Sequence, residues 1–280
     1  MEEPTYQMIN DLLEQESSER DPDEATSSFV GAKRLALDSA FGHDSVEAIF
    51  AELTDISNGH KEEDIRQWAA STLEMLNLRS PTSLKVALAA IRRGKEMSLL
   101  DALQMEMNIA TAFCVSQLVG ASCLYRMNAD SDLQSGVSPD FQTGVTAVLV
   151  QKVKTRPEWS PAHLHEVDDG EVLDTFFNKF TPEKGTAPLL SPPSYLPSPT
   201  ELSDPMRYAL PTEAEIRSMV DGSHRNSGAT EITLEELLSN FERMRGNKAG
   251  MREKILEVVQ RKCTSEQDKH MDKKWLKWNH

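Results

Sequence analysis

His163 and His165 flank Leu164, and in an extended segment both imidazoles would face one side, as two ligands of a transition metal must. No carboxylate or thiolate stands at a recognised ligand spacing, so the pair reads as surface histidines at a helix start and no metal is expected. Cys114 lies on an apolar helical row with no residue pattern offering it a base, and it reads as a buried structural thiol. The three cysteines, Cys114, Cys123 and Cys263, have neither the number nor the spacing of a disulfide scaffold or a zinc knuckle, which points to a reducing compartment. A nucleophile elbow, G-x-S-x-G, does not occur. No two of the 13 glycines are adjacent, and none forms the G-x-G or phosphate-loop patterns that let backbone N–H groups cradle an anion. Glu106 flanks an apolar row, where burial could raise its pKa for catalysis, although an exposed edge or an intrahelical pairing is the ordinary outcome. No residue is therefore assigned a catalytic role.

The end of the chain reverses the sign of the rest. Arg261, Lys262, Lys269, Lys273, Lys274 and Lys277 accompany Trp275 and Trp278 in a protein of formal charge -15. Such a tail could grip RNA phosphates or an acidic protein surface. The favoured alternative is a terminal helix whose tryptophans pack back while the lysines stay in water. Overall, 30 basic residues against 45 acidic ones disfavour sequence-independent nucleic-acid binding, and no apolar run is long enough to span a bilayer. The opening Met1-Glu2-Glu3-Pro4 is acidic, unlike a transit or secretory peptide, so no targeting segment is visible.

The elements that would position these residues are helices. Residues 1–29 hold one short apolar stripe (Tyr6, Ile9, Leu12, Leu13) and then turn polar, reading as a partly disordered N-terminal remnant. Asp44-Ser-Val-Glu47 resembles a capping box, and Ile65, Trp68, Ala69, Thr72, Leu73 and Leu76 recur at helical spacing. Ser80-Pro81 places a cap before a first-turn proline, ahead of Leu84, Leu88 and Ile91 on one face, and Gly94 ends that helix. The next helix aligns Leu99, Leu103, Met107, Ala110 and Cys114. Residues 115–139 lack a sustained period and read as an irregular insertion. Val145–Val150 has the composition of a strand, yet Phe141, Val145 and Val148 also fit a helix face. Ser160-Pro161 is a second cap-plus-proline start, and Val172, Leu173, Phe176, Phe177 and Phe180 close this part. Residues 181–210 form a proline-rich linker. Capping boxes at Thr212–Glu215 and Thr233–Glu236 then head the helices of a separate module over 211–280.

SPTSLK (80–85), LLDALQMEMNIA (99–110), DFQTGVTAVLVQK (140–152) and RPEWSP (156–161), preceded by SAFGHDSVEAIFAEL (39–53), resemble the C-terminal part of 3-hydroxyisobutyryl-CoA hydrolases of the crotonase (enoyl-CoA hydratase/isomerase) superfamily. The resemblance covers about residues 30–180. YALPTEAEI (208–216) resembles the extra C-terminal segment of fungal members. Position 143 is Thr where the family usually has Glu, and 115–139 has no counterpart. That segment is expected to be translated intron, with a lineage-specific loop as the alternative.

The resemblance implies a mainly α chain: the helical C-terminal region of a crotonase-like fold over 30–180 plus a helical extension, with the β-rich spiral core absent from these 280 residues. It also implies that Val145–Val150 is helical. The activity implied is thioester hydrolysis of an acyl-CoA in mitochondrial valine breakdown, without a cofactor beyond the coenzyme A of the substrate. The family's oxyanion loops and catalytic carboxylates precede everything matched here, so the 280-residue chain is expected to be inactive alone. Lys152, Lys154 and Arg156 are the candidates for the CoA phosphates. Expected partners are the acyl-CoA, a second copy of the chain, and, in an alternative non-catalytic reading, the small subunit of the mitochondrial ribosome reached through 211–280. Mitochondrial localisation follows from the same resemblance.

Overall fold

A computed structural model describes residues 6–17, 29–118, 137–192, 208–228, 231–246, 248–267 and 274–279. Helices run α1 (Tyr6–Ser17), α2 (Gly31–Phe41), α3 (Val46–Gly59), α4 (Glu63–Asn77), α5 (Pro81–Gly94) and α6 (Leu99–Leu118). After α6 come α7 (Asp140–Gly144), a wide π-turn (Val145–Val150), α8 (Asp169–Leu173) and a second π-turn (Asp174–Asn178). The last elements are α9 (Glu213–Val220), α10 (Leu234–Arg245), α11 (Met251–Lys262) and a hairpin of β1 (Cys263–Gln267) with β2 (Lys274–Trp278). The chain divides into two compact units, one of residues 35–196 and one of residues 1–34 with 197–280.

Helix starts follow their caps. Ser80 accepts a bond from the Ser83 N–H at 3.0 Å ahead of Pro81, and Thr233 and Glu236 complete a reciprocal capping box. At α3 the cap is Ser45, one residue after the expected Asp44, and it accepts from the Ala48 N–H. Thr212 caps α9, but the Glu215 side chain turns away to Arg245, so that box is half formed.

In the 35–196 unit, α3 packs on α4, and a core forms from Val86 and Ala90 of α5, Met105, Ile109 and Ala112 of α6, and Val172, Phe176 and Phe180 beyond. On α6 the expected row is largely turned out, with Leu99 72% and Leu103 50% exposed, whereas on α5 Leu84 and Leu88 are half-buried and Ile91 alone of the row is exposed. Helix α6 is apolar on more than one side, and it packs through Met105, Ile109 and Ala112. Residues 115–118 continue α6, which corrects the expected loop start, and the 119–136 part of the insertion lies outside the described residues. Val145–Val150 is helical, as the resemblance implied, though wound as a π-turn with Ala147 buried. Ser160-Pro161 does not start a helix. Its peptide bond is cis, and the following 3₁₀ turn begins at Leu164 under a His163–Glu166 capping pair. Within the proline-rich stretch, residues 188–190 are fastened to α6, where Gln104 donates to the Pro188 carbonyl and accepts from the Leu190 N–H.

The C-terminal unit closes around Ile216, Met219, Leu237, Phe241, Ile255 and Val258. Its basic tail is a strand, which corrects the expected terminal helix. Leu276 is buried and its N–H reaches the Ile232 carbonyl at 2.9 Å, while Trp278 packs on the core. From Lys274 to Trp278 the side chains run exposed, half-buried, buried, exposed and half-buried, and the strand is held by its pairing with β1, where Ser265 stands opposite Leu276.

Candidate functional site

In the 35–196 unit Arg79, Ser80, Cys114, Asp140 and Lys154 line one cleft of about 690 Å³. Its floor begins at the α4–α5 junction. Ser80, already capping α5, donates its hydroxyl to Asp140 Oδ2 at the start of α7. Asp140 Oδ1 accepts from the Ser160 N–H at 3.4 Å, and the Asp140 N–H donates to Ser138 Oγ at 3.2 Å. Ser80 and Asp140 are each 3% exposed, so this hydrogen-bonded knot ties together segments far apart in sequence away from water.

The walls are apolar. Phe113 comes from α6, Phe141 from α7, and Val145, Val148 and Leu149 from the π-turn. Trp159 closes one side, its indole N–H donating to the Leu78 carbonyl at 3.0 Å. Gly144 lets the indole ring come close, since a Cβ there would lie 3.2 Å from it and the ring would have to shift by a few tenths of an ångström. Arg156 spans the outside, with Nε to the Asn77 carbonyl at 2.8 Å and Nη2 to the Ala162 carbonyl at 2.5 Å.

The three candidate phosphate ligands therefore have different settings. Lys154 lines the cleft. Arg156 is exposed, yet its guanidinium is engaged with backbone carbonyls. Lys152 is exposed at the end of the π-turn and has φ +55, a conformation rare for a side-chain-bearing residue. Arg79 adds a further cation to the lining, while Asp140, the one acid there, is taken up by Ser80.

Cys114 also lines the cleft and is exposed, which corrects the buried thiol expected from its row. Cys123 lies outside the described residues; Cys263 is half-buried, and burial pushes its thiol up to about 11. Glu106 is exposed. His163 and His165 are surface residues, their rings stacked 5.5 Å apart and 9° from parallel. Among the described residues no three metal-ligating side chains cluster. Glu166 closes the turn beneath the histidines. Its carboxyl is held below the usual carboxylate range by the His163 N–H first and by the Ala162 N–H.

Beside the cleft lies a feature no local pattern announced. Lys85, buried on α5, reaches Glu47 Oε1 at 2.7 Å, Asp169 Oδ1 at 2.9 Å and the Val167 carbonyl at 2.8 Å, joining α3, α5 and α8. Burial works against its charge, but the bonds to Glu47 and Asp169 outweigh it and raise the ammonium pKa. A raised folded-state pKa gives stability that is complete below the unfolded value of about 10.4 and is lost as pH climbs through the folded one. Lys85→Met should cost about 1–3 kcal/mol at neutral pH. In urea titrations the gap to wild type should close at strongly alkaline pH; a gap constant across that range would contradict the linkage.

Of the tail's six cations, Lys269 and Lys273 lie outside the described residues, and three of the other four pair within the C-terminal unit. Lys277 pairs with Glu266 at 3.0 Å, Lys262 with Glu213 at 3.8 Å, and Arg261, 2% exposed, with Glu257 and Glu213 at 2.8 and 2.7 Å. Among the described residues no helix is long and apolar enough to cross a membrane.

The 35–196 unit is thus a helical array around an apolar cleft whose lining includes Arg79, Lys154 and Asp140. Residues 1–177 match the enoyl-CoA hydratase/isomerase family, and the chain belongs to that family. It is 29% identical over 92% of its length to small ribosomal subunit protein mS47 of Neurospora crassa, of which the match covers 44%. It is 30% identical over 63% of its length to the mitochondrial 3-hydroxyisobutyryl-CoA hydrolase of Gallus gallus, and 28% over 65% to that of Dictyostelium discoideum. Those matches cover 38% and 39% of the hydrolases. The chain thus spans less than half the length of these curated relatives.

Proposed function

We propose that this chain is part of a crotonase-family protein that serves in the small subunit of the mitochondrial ribosome, with the 208–279 region as a shared structural addition to the family domain. The supporting observation is the reach of the similarities. The hydrolase matches take in 63–65% of the chain, about the share of the family match to 1–177, whereas the mS47 match takes in 92% and must run through most of the C-terminal unit. That unit has its own closed core. Mitochondrial localisation goes with this reading. In a sucrose gradient of mitochondrial lysate, the tagged protein should travel with the small ribosomal subunit. Migration as a free protein at every salt concentration would overturn the reading.

The second reading is acyl-CoA thioester hydrolysis, supported by the hydrolase relatives and by Lys154 in the lining of an apolar cleft. In it, Lys154 with Lys152 would meet the CoA phosphates, and Arg156 would hold the loop that carries them. The 280-residue chain alone should not turn over 3-hydroxyisobutyryl-CoA. Its cleft offers one carboxylate, Asp140, which is buried and already bonded to Ser80.

A further inference from the structure

Helix α1 is seated the wrong way round for an ordinary amphipathic helix. Ile9, Leu12 and Leu13 share one side by their three-and-four spacing, and Asn10 and Glu14 share another, about a third of a turn round the helix. The polar side faces the protein. Lys248 Nζ binds Glu14 Oε1 at 2.5 Å and Asn10 Oδ1 at 3.1 Å, and the Ala249 N–H donates to Glu14 Oε2 at 3.2 Å. The apolar side faces out, with Ile9 43%, Leu12 59% and Leu13 61% exposed. Nothing comparable occurs elsewhere in this unit's C-terminal part: among the described residues of 208–279, every large apolar side chain is buried or half-buried. Surface helices normally turn their stripe inward because water penalises it.

Charge narrows what could cover this row. Asp11 and Glu16 beside it are exposed, and the whole chain carries -15. RNA phosphates and anionic lipid headgroups would be repelled. A protein groove with an apolar floor and a basic rim is the complementary surface.

We propose that α1 is a docking helix, held to the C-terminal unit by Glu14 and Asn10 and inserting Ile9, Leu12 and Leu13 into such a groove on a protein component of the assembly. This rests on the ribosomal reading above, and it makes the contact protein-mediated and apolar instead of electrostatic through the lysine tail.

The test is co-sedimentation of the 280-residue chain with purified small mitochondrial ribosomal subunits at low and high potassium chloride. Wild type and Lys274→Glu/Lys277→Glu should sediment at both salts, while Leu12→Ser/Leu13→Ser should lose at least tenfold in apparent affinity. Since both leucines are exposed, the double variant should melt like wild type. A benzophenone crosslinker at position 13 should give an adduct that survives ribonuclease and is destroyed by protease. The proposal is overturned if the leucine variant binds as wild type does, if high salt abolishes binding, or if the adduct is with RNA. A wild-type dimer that the leucine variant converts to monomer overturns it too, by making a second copy the occupant. Absence of wild-type binding at any salt would instead remove the ribosomal reading on which the proposal stands.

Discussion

Phe176→Ala should destabilise the 35–196 unit by about 3–5 kcal/mol, the usual cost of deleting a large aromatic from a packed interior. Phe176 is 1% exposed, and its ring centroid lies 4.5 Å from that of Phe113, which lines the cleft. The second π-turn carries Phe176 inward against α6 and leaves Phe177 beneath the Arg93 guanidinium, 4.6 Å from its centroid. Removing the Phe176 ring empties the space behind Phe113 and loosens the wall of the cleft with it. Chemical denaturation should report the loss, and hydrogen exchange should place it in α5, α6 and α8. Phe176→Leu, which keeps most of the volume, should recover more than half. A Phe176→Ala cost below about 1 kcal/mol would mean that the site collapses around the gap and that the ring is not the support inferred for it.

Asp140→Ala should cost about 2–4 kcal/mol, because it strips an acceptor from the buried Ser80 hydroxyl and from the Ser160 N–H together. Asp140→Asn keeps one acceptor oxygen and should cost less. Ser80→Ala should also cost less than Asp140→Ala, although it removes the α5 cap as well, since Asp140 keeps its contact with Ser160. Asp140→Ala and Ser80→Ala combined should fall short of the sum of the singles, as expected for partners in one hydrogen-bonded knot. An Asp140→Ala effect within about 0.5 kcal/mol of wild type, the scale of an ordinary surface change, would refute the assignment.

The helix starts were legible because caps act within one turn. Ser80-Pro81, Thr212 and Thr233 each bond the N–H three residues on, and that geometry needs nothing from the rest of the chain. The family too was legible in its string of motifs, and with it the helical state of Val145–Val150, where periodicity left strand and helix open. On α3, α4 and α9 to α11 the inward side followed the spacing, as with Leu53, Ala69, Ile216, Phe241 and Ile255, but on α6 it did not. Helix α6 is apolar on more than one side, so burial of Met105 and Ile109 was decided by what packs against them, and Leu99, Leu103 and Cys114 were left out. On α1 the stripe was plain, but its outward direction came from Lys248, more than two hundred residues away. The tail became a strand when its backbone found Ile232 and β1 as partners, which a terminal helix of the same residues could not have used. The Ser80–Asp140 knot and the Lys85 junction belong to the same class. Local spacing sets how the backbone winds, whereas desolvation of a particular face or polar group depends on the segment brought against it, and that is a property of the tertiary structure.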